Sequence, residues 1–403
     1  MWLPAVLAFL VSSPFLELVQ STSVPAHASN YSTWMALSII SRNQGVLASS
    51  SDISAILQAG ITQKAFTRLV KQYPHANSTE AIAQYIKRSV DSVAGPVSNA
   101  TKDLTYAMDR LSSGNGLIDL YKETGNDTYR TAFTGLRNSI NLNSRNVEDG
   151  LWYFVYPNWS YLDGMYSLVP FYAYYTILFD ARNASAIADM MRQLDLLWTH
   201  CAAANGTGLL VHGYDDSKTA VWADPVTGAS PHVWGRSLGW YTMALVDTLE
   251  ILPRQTHPSE WALLHARFCQ LADALRRAVD ATSGAWWQLL DQPGRAGNYI
   301  ESSGSAMFAY ALLKGVRLGY LENGVPAYTD VATRAYKYIT DTFVVDNSTD
   351  GTLGYNGTVS VCSLNSTASY EYYVGQPINY NSVLGSGAFV LASLDRCIVL
   401  YRP

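Results

Sequence analysis

No CxxC pair and no HExxH stretch occurs in this chain, so the usual spacings of a zinc site are missing. Basic clustering is missing as well. The 27 Lys and Arg are scattered among 32 Asp and Glu, and the net charge of −5 comes without a block of one sign. A nucleic-acid surface needs a basic stripe or patch, so no nucleic-acid partner is expected. Charged residues make up only 15% of the chain against 48% hydrophobic, which is too little charge for a disordered protein. Beyond the N-terminus no segment supplies eighteen uninterrupted apolar residues. No membrane association is therefore expected, and the mature chain should be soluble.

What is present begins with a short apolar run over residues 2–16, followed by Ala26-His27-Ala28. Together they predict a secretory signal peptide ending near residue 28, although its basic flank is absent. Asn-X-Ser/Thr sequons start at Asn30, Asn77, Asn99, Asn126, Asn158, Asn183, Asn205, Asn347, Asn356 and Asn365. So many exceed chance and predict a glycosylated eukaryotic protein secreted to the extracellular space. The four cysteines, Cys201, Cys269, Cys362 and Cys397, allow two disulfides in three pairings, or four free buried thiols. Aromatics are plentiful, with 27 Tyr and 11 Trp. Most belong to a core, but the apolar C–H faces of a sugar ring also stack on such side chains.

Helical periodicity runs from residue 31 to the end. It predicts twelve helices, near 31–42, 53–72, 79–94, 103–123, 127–142, 163–180, 184–203, 236–252, 258–281, 302–321, 326–345 and 383–401. Gly or Asn separates several of them, as at Gly125-Asn126 and Asn183, because both residues accept left-handed backbone angles. Two helices per unit of roughly 50–70 residues is the signature of stacked hairpins. Six hairpins close into an all-α (α/α)6 barrel in which the last helix pairs with the first; an open solenoid is the alternative. The expected organisation is a signal peptide over 1–28 and a single catalytic (α/α)6 domain over 29–403. Segments 204–235 and 346–380, rich in Gly, Thr, Asn and Tyr, interrupt the helices and read as loops over one face.

Several residues with useful chemistry stand at helix starts. Asp163 opens the apolar helix Gly164-Met165-Tyr166-Ser167-Leu168, where an aromatic stretch ends. An N-cap aspartate would look the same. Asp109 lies among small and apolar residues beside Arg110 and could simply pair with it. Arg236 and Trp240 fall in Trp234-Gly235-Arg236-Ser237-Leu238-Gly239-Trp240; a two-pronged carboxylate clamp and a surface ion pair both suit Arg236. His212 suits either a substrate contact or a structural role. Glu301, ahead of Ser302-Ser303-Gly304, is explained by capping. Helix N-termini converging on one end of a barrel make a positive, donor-rich funnel suited to an anionic sugar. That field lowers the pKa of an acid at Asp163, so a neighbouring Asp109 or burial must raise it for proton donation.

Leu162-Asp163-Gly164-Met165-Tyr166, Trp234–Tyr241 and Glu301–Phe308, in this order and spacing, resemble glycoside hydrolase family 105, from about residue 31 to the C-terminus. Its members include the unsaturated rhamnogalacturonyl hydrolases. The resemblance implies a six-hairpin barrel, no cofactor or metal, and a substrate with a 4,5-unsaturated uronic acid at its non-reducing end. It implies that Asp163 is the catalytic acid and Asp109 a second active-site carboxyl. It also implies that His212, Trp234, Arg236, Trp240 and Ser303 line the substrate pocket. The implied chemistry is proton addition to C4 of an enol ether, then hydration at C5. Two other readings are an inverting glycosidase on saturated substrates and a secreted sugar-binding protein without turnover. A monomer is expected.

Overall fold

Three segments, Gly164–Phe179, Ser302–Arg317 and Val383–Leu400, are apolar on nearly every side, as is most of Gly235–Ile251. A helix without a polar face must be surrounded by protein. The computed structural model describes residues 30–47, 52, 54–322, 326–347 and 349–400. The helices are α1 (Asn30–Ser41), α2 (Ala55–Gln72), α3 (Thr79–Ala94), the short α4 (Ala100–Asp103), α5 (Gly114–Thr124) and α6 (Asp127–Leu142). They continue with α7 (Gly164–Phe179), α8 (Ala184–His200), α9 (Gly235–Ile251), α10 (Pro258–Arg277), α11 (Ser302–Arg317) and α12 (Tyr328–Phe343). The short α13 (Tyr370–Val374) and then α14 (Val383–Leu400) complete the set.

Contacts run α2–α5–α7–α9–α11–α14 and back to α2, which closes a ring; a 3-10 turn over Met108–Ser113 carries much of α5's side of it. Outside, α3, α6, α8, α10 and α12 each pack on their inner neighbour, and α1 packs on α14. This is the six-hairpin helical barrel expected from the repeat. The division of labour follows composition. Outer helices such as α3 and α12 bury one stripe, whereas every residue of α9 from Gly235 to Leu249 is buried. α14 is long and apolar enough to cross a membrane by composition, but here it is an inner helix, mostly buried against α11, α2 and α1.

Two short ribbons and α13 occupy the interruptions. β1 (Trp159–Tyr161) pairs antiparallel with β2 (Gly213–Asp215), and β3 (Val344–Asn347) with β4 (Thr352–Tyr355). A second apolar cluster, including Tyr161, Trp222, Trp234, Leu289, Cys362 and Tyr373, joins these segments near the inner-helix N-termini.

At the other end of the ring, buried charges tie the helices together. Lys64 of α2 reaches Asp247 of α9, which lies three places away in the ring and so directly opposite. Lys314 Nζ of α11 is 2.6 Å from both Asp247 Oδ1 and Glu250 Oε2, and the Tyr310 hydroxyl donates to Asp247 Oδ1 at 2.7 Å. Arg317 and Arg68 both hold Asp395 of α14, at 2.5 and 3.2 Å.

The predicted helix 103–123 is split, because residues 104–107 leave the helix before the 3-10 turn begins. The Met108 amide donates outside the helix, to the Tyr153 carbonyl at 2.9 Å. No disulfide joins the four cysteines, so the disulfide alternative is corrected: Cys201 ends α8, Cys269 lies within α10, Cys362 lies in the 346–380 segment and Cys397 in α14. The signal-peptide segment lies outside the described residues.

Candidate active site

Adjacent inner helices present their first turns to one space. Asp163 stands just before α7, Arg236 and Ser237 open α9, and Ser303 opens α11. Close backbone approach makes this possible. A side-chain carbon on Gly304 would sit 3.0 Å from the Gly235 carbonyl carbon, so α9 and α11 touch where these residues start. One on Gly164 would lie 2.6 Å from Met108 Sδ, which brings the α7 start against the turn that carries Asp109.

Asp163 occupies an N-cap position but makes no capping hydrogen bond with its side chain. Its Oδ2 instead accepts from Ser237 Oγ at 2.5 Å and lies 3.1 Å from His212 Nε2. The latter is an ion-pair distance, but the N–H direction falls outside hydrogen-bond geometry, and Nε2 has no aligned acceptor. His212 is fixed from behind: its Nδ1 meets the Tyr373 hydroxyl at 2.7 Å, and its own carbonyl accepts from the Leu162 amide at 3.0 Å. Tyr161 and Trp234 flank the imidazole at ring distances of 5.4 and 4.8 Å.

Asp109 Oδ2 accepts from the Tyr153 hydroxyl at 2.7 Å, while Oδ1 is screened from solvent and has no partner. Burial pushes its pKa up from the usual carboxyl range to about 7; the Tyr153 hydrogen bond opposes this and the Asp163 charge adds to it. The raised value thus falls on Asp109, whereas the expectation from the sequence is for Asp163. Folded Asp109 holds its proton where the unfolded chain has lost it. Its share of stability is full below about pH 4 and is lost as pH rises through about 7. Asp109→Asn keeps the acceptor for Tyr153 and removes that loss. Its melting temperature relative to the parent should climb between pH 4 and pH 7 and then level off. A constant difference across that range would contradict the raised pKa.

Arg236 does not present an open clamp. Its guanidinium donates to the carbonyls of Val359 at 2.5 Å and Ser360 at 2.7 Å, and to Ser303 Oγ at 3.4 Å, with Glu301 Oε1 at 3.9 Å. It also lies over the Trp234 ring, 4.7 Å from the centroid. Its surroundings correct the surface-ion-pair alternative, since Arg236 is buried and bolts the 357–360 segment to α9. Arg236→Ala would leave two carbonyls without their donor and remove the cation nearest Glu301, and should destabilise by about 3–5 kcal/mol. It should also raise KM as the wall beside Trp234 loosens. Unchanged melting and KM would remove Arg236 from the site.

Ser303 Oγ lies 2.7 and 2.9 Å from the two Glu301 oxygens, and Glu301 caps α11 by accepting from the Gly304 amide at 2.7 Å. Ser303 is therefore part of the Arg236–Glu301 bolt. Trp240 lies one turn deeper, with its ring 4.4 Å from Tyr166, and packs between α9 and α7 rather than in the Asp163 cluster. Its expected place on the pocket wall is corrected to core packing beneath it. Among the described residues, no group of His, Cys, Asp and Glu side chains is arranged to hold a metal.

The sequence profile described as Glycosyl Hydrolase Family 88 matches residues 49–400. The chain belongs to that family. It is 34% identical to the C. acetobutylicum ATCC 824 glycoside hydrolase from family 105, covering 91% of this chain and 99% of that one with a TM-score of 0.81. The 24.9 kDa protein in picA locus of Rhizobium radiobacter is 37% identical over 220 residues, which is 53% of this chain and 91% of the relative. The unsaturated glucuronyl hydrolase of Bacillus sp. GL1, responsible for glycosaminoglycan degradation, shares the fold at 14% identity and a TM-score of 0.65, covering 93% and 96% of the two chains. This protein is a glycoside hydrolase with a six-hairpin barrel.

Four of the hydrolase's site residues escaped the sequence reading: Tyr153, Tyr161, Ser237 and Tyr373. Ser237 lay inside a motif already singled out, but nothing local marks its hydroxyl as Asp163's partner. The tyrosines carried one faint signal, their density in Trp152-Tyr153-Phe154 and Tyr370-Glu371-Tyr372-Tyr373.

Proposed function

We propose that this hydrolase removes a 4,5-unsaturated uronic acid from the non-reducing end of lyase-generated pectin or rhamnogalacturonan oligosaccharides. The observation that carries the reading is the pair of carboxyls, Asp163 with Ser237 and His212 at the start of α7, and Asp109 with Tyr153 in the 3-10 turn, beside Tyr161 and Trp234.

The unsaturated ring is an enol ether, so its C4 accepts a proton. Asp163 donates that proton, and positive charge develops at C5 and the ring oxygen. The Asp163 carboxylate then takes a proton from water as its oxygen bonds to C5. The resulting hemiketal opens, and the neighbouring sugar leaves with its glycosidic oxygen. One water is consumed and Asp163 ends protonated. Asp109, neutral below about pH 7, leaves the charge cycle to Asp163. Burial pushes the Tyr153 phenol well above its ordinary pKa, so it stays a donor to Asp109 throughout.

Incubation with lyase-digested pectin should bleach the ultraviolet absorbance of the conjugated double bond. Sugar release with the absorbance retained would favour an inverting glycosidase instead. Binding without release would favour a sugar-binding protein.

Export and N-glycosylation belong to the same reading. Of the sequon asparagines, Asn77, Asn99, Asn126, Asn205, Asn356 and Asn365 are exposed, and Asn158, Asn183 and Asn347 are partly exposed. Protein secreted from a eukaryotic host should lose mass on treatment with an N-glycan-releasing enzyme; an unchanged mass would sink this part.

A further inference from the structure

His212 is buried, and its two nitrogens face different partners, the Tyr373 hydroxyl and Asp163. We infer that Tyr373 is a positioning residue of this site: by donating to His212 Nδ1 it holds the imidazole as the neutral Nε2–H tautomer, so the imidazole does not take the proton that Asp163 must deliver. This rests on the reading of Asp163 as the acid.

The need for such a device is chemical. A free imidazole is a stronger base than a carboxylate, with ordinary pKa values of about 6.5 and 3.9. Without that hydrogen, Nε2 at 3.1 Å from Asp163 Oδ2 would need only a small tilt of the ring to draw the proton off the acid. With hydrogen already on Nε2 and a donor seated on Nδ1, the ring has no vacant lone pair. The second nitrogen of a histidine is commonly used in this way to fix which tautomer the first presents.

The direction of the Tyr373 bond follows from accounting for donors. Its hydroxyl has no other partner among the described residues. If Nδ1–H donated to the phenol oxygen, the phenol proton would be left buried with no acceptor at all, at a cost of about 1–3 kcal/mol, whereas Nε2–H, though off-axis, faces the Asp163 carboxylate at 3.1 Å. Burial, reinforced by the nearby Cys362 and Asp163, pushes the phenol well above its ordinary pKa, so it remains a donor. Tyr373 is also held in place. Gln288 Nε2 donates to its carbonyl at 2.6 Å, Ser369 Oγ accepts from the Tyr372 amide to cap α13, and the Tyr370 hydroxyl donates to the Ala296 carbonyl at 3.0 Å.

The other groups around the pair do not replace this donor. Asp163 approaches from α7, and Tyr161 from β1 meets the imidazole edge-on. From α9, Trp234 covers the ring and Arg236 behind it is committed to Val359 and Ser360. His232, 6.1 Å from the Tyr373 ring, is paired with Asp291, and burial pushes the Cys362 thiol up to about 12.

The test has a readout that needs no substrate. In enzyme with 15N-labelled histidine, nuclear magnetic resonance should find His212 protonated on Nε2 alone, and Tyr373→Phe should convert it to a mixed or doubly protonated ring. With an unsaturated uronyl disaccharide, Tyr373→Phe should lower kcat at neutral pH by about 10–100-fold with KM nearly unchanged. The pH above which kcat falls should move down by about one unit, because the imidazole now competes for the proton. In a His212→Asn background, Tyr373→Phe should cost nothing further. Protonation on Nδ1 in the parent overturns the inference. So does a loss that is equal at every pH, or one that persists without His212. If the parent shows no turnover, the proposed function fails while the resonance measurement still decides the tautomer; it decides also if Tyr373→Phe does not fold.

Discussion

Asp163→Asn is expected to lower kcat about 10³-fold or more on an unsaturated uronyl substrate while leaving the melting temperature close to the parent's. Both halves follow from the geometry. The amide cannot donate a proton to C4 and then accept one from water, so both steps assigned to Asp163 are lost together. The fold should survive because the Asp163 side chain caps nothing: its bonds are to Ser237 and, in distance, to His212. Asparagine keeps an oxygen for the Ser237 hydroxyl. Kinetics and circular-dichroism melting on the same preparations check the pair. Near-parental kcat would mean that the acid has been misassigned; a large fall in melting temperature would mean that Asp163 is structural after all.

Asp247→Ala should be the most damaging single change to stability, at about 3–5 kcal/mol. Asp247 receives Lys64 from α2, Lys314 from α11 and the Tyr310 hydroxyl, and its side chain is only 4% exposed. Removing it leaves Lys314, itself 2% exposed, with Glu250 alone, and leaves Lys64 without the carboxylate it reaches across the ring. An unpaired buried ammonium costs more than the pair contributed. Burial and the Arg68 charge already pull the Lys314 pKa down to about 8, and without Asp247 it falls further, so the variant's deficit should shrink as pH rises toward 8 and level off above it. Denaturant unfolding at pH 6 and pH 9 measures both effects. A loss under about 1 kcal/mol, the range of exposed ion pairs, would mean that the network is hydrated rather than buried.

The barrel was legible because its signals are local. Caps and breakers such as Asn126 and Asn183 mark hairpin tips, and each accepts a hydrogen bond from an amide of the following helix. The all-round apolarity of α7, α11 and α14 is likewise a local signal, and it matches their place in the inner ring. The split of 103–123 was not legible, since its cause lies some 45 residues away in the chain, in the Tyr153 carbonyl and hydroxyl that hold Met108 and Asp109. The site divides the same way. Asp163 and Arg236 were visible as unusual residues at helix starts. What each one does is set by Ser237, Val359 and Tyr373, which only the closed ring and the 346–380 segment bring within reach. Sequence periodicity places a side chain on a face; it does not say which hydrogen bond occupies it.

The central claim is that Asp163 protonates a carbon. Turnover of an unsaturated uronyl disaccharide in D2O, followed by nuclear magnetic resonance at early times, tests it most directly. The account predicts one deuterium at C4 of the released uronate, on a single face, appearing in step with the free sugar and with loss of the double bond. Release of a uronate that keeps its C4=C5 bond and carries no deuterium at C4 would contradict it.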